Sequence, residues 1–292
     1  MNLDAARLSL EGLSVGDAFG EQLLHMGPEG RAIALTHRTE PHGRVWKWTD
    51  DTAMALSIVE TLAAGGVIDP ASLAQRFAHR YKLDPMRGYG GGAHQVLAWL
   101  DEGMPYDVAA NRLFNGQGSC GNGGGMRAAP IGAYFAGELA TTARQAALSA
   151  APTHAHPDGV AGAVAVAVAA AAVFGGERDP RAVLEAAHTH APEGPTRDGV
   201  RRAMTMLRAD HQTVAAELGN GSRVLASDTV PFALWCAVTH LDDFAEACWT
   251  CVEVGGDIDT TCAMVGGIVV GAVGLDGIPA AWRAAREPLP GV

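Results

Sequence analysis

The chain is expected to fold as an all-α protein, and three features of the sequence predict it. It is dense in Ala, Leu and Val with few alternating β-branched runs. Its turn signals separate segments of helix length. Its apolar residues recur at three- and four-residue spacing. At 292 residues and 48% hydrophobic composition it has ample chain to bury a core. No Pro/Ser-rich linker, low-complexity tract or internal repeat divides it, so residues 1–292 are read as one domain, many helices deep.

Taken in order, the elements support that class. The opening "MNLDAARLSLEGLSVGDAFG" carries acids early and lacks a basic region followed by a long apolar core, which is not the pattern of a signal peptide. After "WTDDT", Met54, Ile58 and Leu62 with Ala55 and Val59 form one apolar stripe, and Gly65-Gly66 supplies a stop. A similar helix is predicted from about Pro70 to Tyr81. Val160 to Phe174 is apolar on every side and is expected to run through the centre of the molecule. The segment from Pro192 to Asp198 reads as the most irregular. A helix starting near Thr260 carries the apolar run Cys262 to Gly274, in which Gly267-x-x-x-Gly271 would admit a second backbone. Both apolar runs fall short of the roughly 18 to 20 residues that span a bilayer, so they read as buried helices and no membrane partner is expected.

Charge and cysteine content narrow the function classes. Lys+Arg number 21 against Asp+Glu 32, a formal net charge of −11. The chain has no broad cationic surface for an extended nucleic acid. Five cysteines do not make the even framework of a small secreted domain, so a reducing, cytoplasmic setting is expected. Cys248 and Cys251 in "CWTC" have zinc-like spacing without a second pair, and read as packed thiols on a helix.

The chemistry gathers in a few stretches. "GGDIDT" sets Asp257 and Asp259 one residue apart just before a helix, and "WTDDT" sets Asp50 and Asp51 in the same position before another. Taken alone, either is a capping device, because Asp and Thr oxygens accept hydrogen bonds from the free N–H groups of a first turn. A cap uses one side chain well. The second carboxylate in each cluster points to a cation, and converging carboxylates would repel without one. Acid-rich sites of this kind suit one or two Mg²⁺ or Mn²⁺ ions.

"RGYGGGA" and "FNGQGSCGNGGGMR" hold more glycine than turns require. Neither is a Walker loop or a dinucleotide fingerprint. Their free N–H groups would suit a diphosphate, and tight helix packing or a mobile loop is the other reading. Of the two histidine pairs, His188-x-His190 reads as a helix end, while His154-x-His156 is either a turn or a ligand contact. No G-x-S-x-G elbow or Cys/His arrangement supports covalent catalysis, so the chemistry rests on the carboxylates.

Put together in order, "VGDAFG", "WTDDTAM", "DPMRGYGGG", "LFNGQGSCGNGGGMRAAP", "PTHAHPDG", "ELGNGSRVLASDTVPFALWC" and "GGDIDTTCAMVGGIVVGAVG" resemble the ADP-ribosylglycohydrolases, and among them the ADP-ribosyl-acceptor hydrolase 3 branch. The resemblance runs from about Leu13 to Trp282. It implies an orthogonal all-α bundle around two Mg²⁺ (or Mn²⁺) ions, held by Thr49, Asp50, Asp51, Asp257, Asp259 and Thr260. It further implies that ADP-ribose is released from a modified protein side chain, a polymer or a small molecule by hydrolysis at the anomeric carbon of the distal ribose. Gly88 and Gly90 of the first loop and Gly118, Ser119, Gly121, Asn122 and Gly123 of the second would hold diphosphate and ribose. Phe114 would pack on the nucleoside, and His154 would meet the phosphate region.

The catalytic carboxylates by resemblance are Asp50 and Asp51, with Glu21 as the candidate base. In the related branch a glutamate stands four positions beyond the second glycine of "GDxxG"; here Leu24 occupies that place and Glu21 directly follows Gly20. Cys120 likewise stands where an aromatic residue is usual. The protein is expected to act as a monomer. The competing expectations are a non-catalytic ADP-ribose binder on the same scaffold and, more remotely, a D-x-D-x-T phosphohydrolase.

Overall fold

A computed structural model describes residues 1–41 and 45–291, apart from the side chain of Pro28. Among the described residues there is no strand, and the chain forms seventeen α-helices and a short 3₁₀ turn at Leu275–Gly277. The first half comprises α1 (Leu3–Leu24), α2 (Pro28–His37), α3 (Asp50–Gly65), α4 (Pro70–Leu83), α5 (Gly91–Asp101), α6 (Tyr106–Gly116), α7 (Gly123–Met126), α8 (Ala129–Tyr134) and α9 (Leu139–Ala150). The second comprises α10 (Pro157–Phe174), α11 (Pro180–His190), α12 (Pro195–Thr205), α13 (His211–Leu218), α14 (Ala226–Thr239), α15 (Phe244–Val254), α16 (Ile258–Val273) and α17 (Ala280–Ala285).

The apolar stripe after "WTDDT" is α3, ended by Gly66 in the left-handed region at φ 71°. Asp69 accepts from the Ser72 N–H at 2.9 Å and so starts α4, with Pro70 in its first turn. α4 runs two residues beyond the predicted Tyr81. The central helix also begins earlier than its apolar run, at Pro157 under the His156 cap. It therefore reaches 18 residues, long enough by length to cross a membrane, but 83% of it is buried inside the protein. The segment read as most irregular is helical from Pro195 onward, because a proline at the first position of α12 presets the helical φ. α16 starts at Ile258, two residues before the expected Thr260.

α1 lies along α16, and their contact is glycine on backbone. A methyl group at Gly12 would strike the Gly266 carbonyl, one at Gly16 the Cys262 carbonyl, and one at Gly20 would stand 2.6 Å from Asp259 Cα. The close approach predicted at Gly267-x-x-x-Gly271 falls instead mainly one residue earlier on that face. Gly267 packs on Ala129 and Gly271 on the Phe174 ring. This contact carries the end of α1 to the start of α16, where the carboxylates stand.

The chain terminus braces the other side. Phe19 stacks on Trp282 with ring centroids 3.8 Å apart, and Trp46 and Trp249 pack edge-on around them. Trp46 N–H donates to Ala285 O and Glu287 N–H to Trp46 O, both at 2.8 Å. Arg87 lies over the Trp48 ring at 3.7 Å, donates to Trp48 O at 2.9 Å and pairs with both oxygens of Glu287. The peptide entering α3 is thereby held from both sides.

Candidate active site

The site grows from the start of α3. Thr49 caps the helix, its oxygen accepting from the Asp51 N–H at 3.4 Å, and the Asp50 N–H donates to Arg87 O at 2.7 Å. Asp50 and Asp51 are thus spare to the cap. Asp17 of α1 is fully buried beneath them. It accepts from Thr49 N–H at 2.9 Å, Thr49 Oγ1 at 2.9 Å, Thr52 N–H at 3.1 Å and Thr52 Oγ1 at 2.5 Å. Thr49 Oγ1 also stands 3.1 Å from Asp51 Oδ2, so one hydroxyl hydrogen faces two carboxylates.

At α16, Asp257 occupies the cap position but its side chain caps nothing. Its Oδ2 instead accepts from Asn122 Nδ2 at 2.6 Å, and Asn122 also donates to Thr229 at 3.1 Å. Asn220 accepts the Asp257 N–H through its carbonyl at 3.2 Å, and Gly221 leaves room for the Asp257 side chain, whose Cβ would be 2.6 Å from an added methyl. Asp259 and Thr260 follow in the first turn of α16, with Thr260 buried.

The electrostatics express this crowding. Burial, then Asp17 and Asp257, push Asp50 up to about 8, with Arg127 opposing. Burial, followed by Asp17, Asp259 and Asp50, holds Asp51 well above the usual carboxylate range. Burial, then Asp257 and Asp17, does the same for Asp259. Asp17 itself rises to about 6 through burial, the Thr52 and Thr49 bonds pulling against it.

Two carboxylate atoms, Asp51 Oδ1 and Asp259 Oδ1, are buried with no hydrogen-bond partner. A buried acceptor left bare is costly, so these atoms call for an electron-poor partner. The donor set of carboxylates and threonine hydroxyls suits a hard divalent cation. Among the described residues no three His, Cys, Asp or Glu side chains are already drawn into a closed cage. Asp51 Oδ2 and Asp257 Oδ2 are held by Thr49 and Asn122, which leaves Asp51 Oδ1 and Asp259 Oδ1 as the bare oxygens.

The two glycine stretches differ in kind. Added methyls at Gly90 and Gly91 meet nothing, so this backbone at the start of α5 is open, and Gly88, at φ 91°, sits 3.4 Å from Asp50 Oδ1 by the same measure. The Phe114 ring lies over Gly92, is 56% exposed, and hangs from a backbone kink where both Phe114 and Asn115 are left-handed. The second stretch is packed. Gly118 abuts His156, Gly124 abuts Gly159, and Gly121 and Gly123 enclose the His154 ring. Ser119 Oγ accepts from the Gly121 N–H at 3.2 Å. Residues 120–122 are clamped to 224–226 through Ala226 N–H to Cys120 O and Asn122 N–H to Val224 O.

Glu21 lies one turn beyond Asp17 on α1, and its carboxylate meets His25 Nε2 at 2.8 Å. Leu24 is 36% exposed. Cys248 and Cys251 are buried on α15, and His190 stands in the last turn of α11. A surface cavity of about 690 Å³ is lined by Arg202, Glu217, Gly219, Arg223 and Asp228 but by none of the carboxylates above. Chemistry and volume disagree here, and the buried charge is the stronger indicator.

Comparison with known proteins places this arrangement. A family model described as ADP-ribosylglycohydrolase matches residues 2–289. The chain belongs to the ADP-ribosylglycohydrolase family. It is 33% identical to the ADP-ribosylhydrolase ARH3 of Bos taurus and 32% identical to that of Homo sapiens, in each case over 82% of this chain and 74% of the relative. A solved structure described as an ADP-ribosylglycohydrolase-related protein complex superposes with a TM-score of 0.65 at 25% identity, covering 98% of this chain and 93% of that one.

In this family member the structure brings together Thr49, Asp50, Asp51, Asp257, Asp259 and Gly88, with Asn122 joining the second glycine stretch to them. It also adds two residues that reading the sequence passed over. Asp17 sits in the quoted "VGDAFG", and an aspartate inside an apolar helix is itself a signal. Arg127 ends "GGGMR", is fully buried, lies over the Phe77 ring at 4.6 Å, and is lowered to about 9 by burial, with Asp50 and Asp51 opposing.

Proposed function

We propose that this protein is a Mg²⁺- or Mn²⁺-dependent hydrolase that releases ADP-ribose from an acceptor to which it is glycosidically bound. The observation that carries the reading is the buried carboxylate cluster, in which Asp51 Oδ1 and Asp259 Oδ1 lack any partner, standing beside Gly88 and the open backbone of Gly90 and Gly91. Family membership supports the ADP-ribose chemistry. Thr49, Asp50, Asp51, Asp257, Asp259 and Thr260 would hold the ions, which supply positive charge for ribose hydroxyls and for polarising water.

The chain's own residues supply the rest. Asp17 fixes Thr49 and Thr52, and Asn122 orients Asp257. The exposed Phe114 face beside Gly92 offers a surface for a nucleobase, and loop N–H groups other than those of Gly118, Gly121 and Asn122, which already have acceptors, suit the diphosphate. As the glycosidic bond breaks, positive charge builds on the anomeric carbon, and a cluster of carboxylates stabilises it. Glu21 is the candidate for moving the water's proton.

The test is incubation with a panel of ADP-ribosylated substrates, with and without Mg²⁺, reading free ADP-ribose by mass spectrometry. Release is expected with Mg²⁺ or Mn²⁺, loss of release on chelation, and loss of most activity in Asp257→Ala and Asp50→Ala. Undiminished release from metal-stripped protein would overturn the metal dependence. ADP-ribose binding without release from any acceptor would favour the non-catalytic binder.

A further inference from the structure

Behind the second glycine stretch, three side chains form a chain whose hydrogens can be assigned. Arg127 Nη2 donates to Ser149 O at 3.0 Å and to Thr153 Oγ1 at 2.7 Å. A guanidinium has no acceptor, so the Thr153 oxygen must accept there. Thr153 has one hydrogen left to place. Ala150 O is 3.5 Å away and already accepts the backbone N–H groups of Thr153 and His154, whereas His154 Nδ1 is at 2.7 Å. The hydrogen therefore goes to Nδ1, which must accept through its lone pair. A neutral imidazole with an accepting Nδ1 carries its proton on Nε2. The ring is neutral because burial, reinforced by Arg127, pushes it down to about 3.

His154 is 7% exposed, and Nε2 makes no hydrogen bond to a described residue while staying within reach of the surface. Nε2 faces the glycines: a methyl on Gly123 would stand 3.4 Å from it and one on Gly121 3.6 Å. Ser119, Gly121 and Gly123 remain partly open to the surface. Glycines keep the space above it free of side chains. The partner that fits is an acceptor brought by a ligand.

We propose that Arg127 and Thr153 are positioning residues that lock His154 as a neutral Nε2–H donor, aimed at an anionic oxygen of the ligand seated on the Gly118–Gly123 loop. The ligand's identity rests on the ADP-ribose reading above, while the locked tautomer does not. A neutral donor recognises a phosphate oxygen without adding a second cation beside Arg127, and the guanidinium acts on the ligand only through the threonine.

The test combines ¹⁵N NMR of the histidine ring with calorimetric titration of ADP-ribose and of adenosine, which lacks phosphate. In the unliganded wild type the His154 proton should reside on Nε2. Thr153→Ser should keep that signature and the wild-type ADP-ribose affinity. Thr153→Val should release the tautomer and weaken ADP-ribose by about tenfold or more, the loss of one hydrogen bond to a charged group, while leaving adenosine unchanged. A wild-type proton on Nδ1 overturns the proposal, and needs no variant to fold. So does a folded Thr153→Val protein that keeps both the Nε2 proton and wild-type affinity. Should ADP-ribose fail to bind the wild type, the ligand assignment falls, and the NMR spectrum still decides the tautomer.

Discussion

A carboxylate buried in an apolar helix is tolerable only when its lone pairs are occupied, and Asp17 meets that condition with donors from Thr49 and Thr52. Glu21 stands at i+4 from Asp17, hence on the same face of α1, and the preceding Gly20 abuts Asp259. That places Glu21 at the rim of the cluster with His25 at 2.8 Å as its partner. If it is the base, Glu21→Gln should lower turnover by about 10²- to 10⁴-fold while ADP-ribose affinity stays nearly constant. Wild-type turnover at saturating substrate and Mg²⁺ would rule the role out, and an increase in Leu24→Glu would then point to the vacated family position. The acidic clusters were legible in the sequence because carboxylates outnumber the caps available: Thr49 serves α3, leaving Asp50 and Asp51 unexplained. Asp17 and Arg127 were not, since their partners lie 32 and 26 positions away, at Thr49 and Thr153.

At the level of elements, the decisive contact is α1 on α16. Gly12, Gly16 and Gly20 recur every four residues, which lines them up along one helix face, and that spacing was readable although only the glycines of the partner helix were singled out. What the sequence could not show is which helix approaches which, because nothing local ties residue 16 to residue 262. A methyl at Gly16 would meet the Cys262 carbonyl, a backbone atom that cannot swing aside. Gly16→Ala should therefore force the helices apart and destabilise the protein by about 3 kcal/mol, the upper range for overpacking. It should also impair activity, since Asp17 and Asp259 hang from those two helices. Gly65→Ala is the contrast: it lies in the last turn of α3 with nothing near an added methyl, and should be neutral or stabilising by about 0.5–1 kcal/mol. Urea denaturation of both variants measures the difference, and equal midpoints would refute the packing argument.

Across the whole molecule, the site is assembled from parts that share no local sequence: Asp17 from α1, Asp50 and Asp51 from α3, Asp257 and Asp259 at the start of α16. Their mutual repulsion and burial oppose folding, and every other contact in the shared core must outweigh it. The unfolded chain scatters the same groups and holds no such site. A cation or ADP-ribose should thus bind the folded state alone and stabilise it by mass action, about 2.7 kcal/mol at 100 times the dissociation constant. For a protein of this length that amounts to a rise of several degrees in melting temperature. Chelated protein should melt lowest, Mg²⁺ or Mn²⁺ should raise the transition, and ADP-ribose should raise it further, with ribose alone doing less because it brings neither a diphosphate to the loops nor a base to Phe114. A transition unmoved by divalent ions would mean that the carboxylates hold protons among themselves and that the cluster is structural. A response to ions without any response to millimolar ADP-ribose would instead assign the glycine loops to packing around His154, leaving the metal centre to a different substrate.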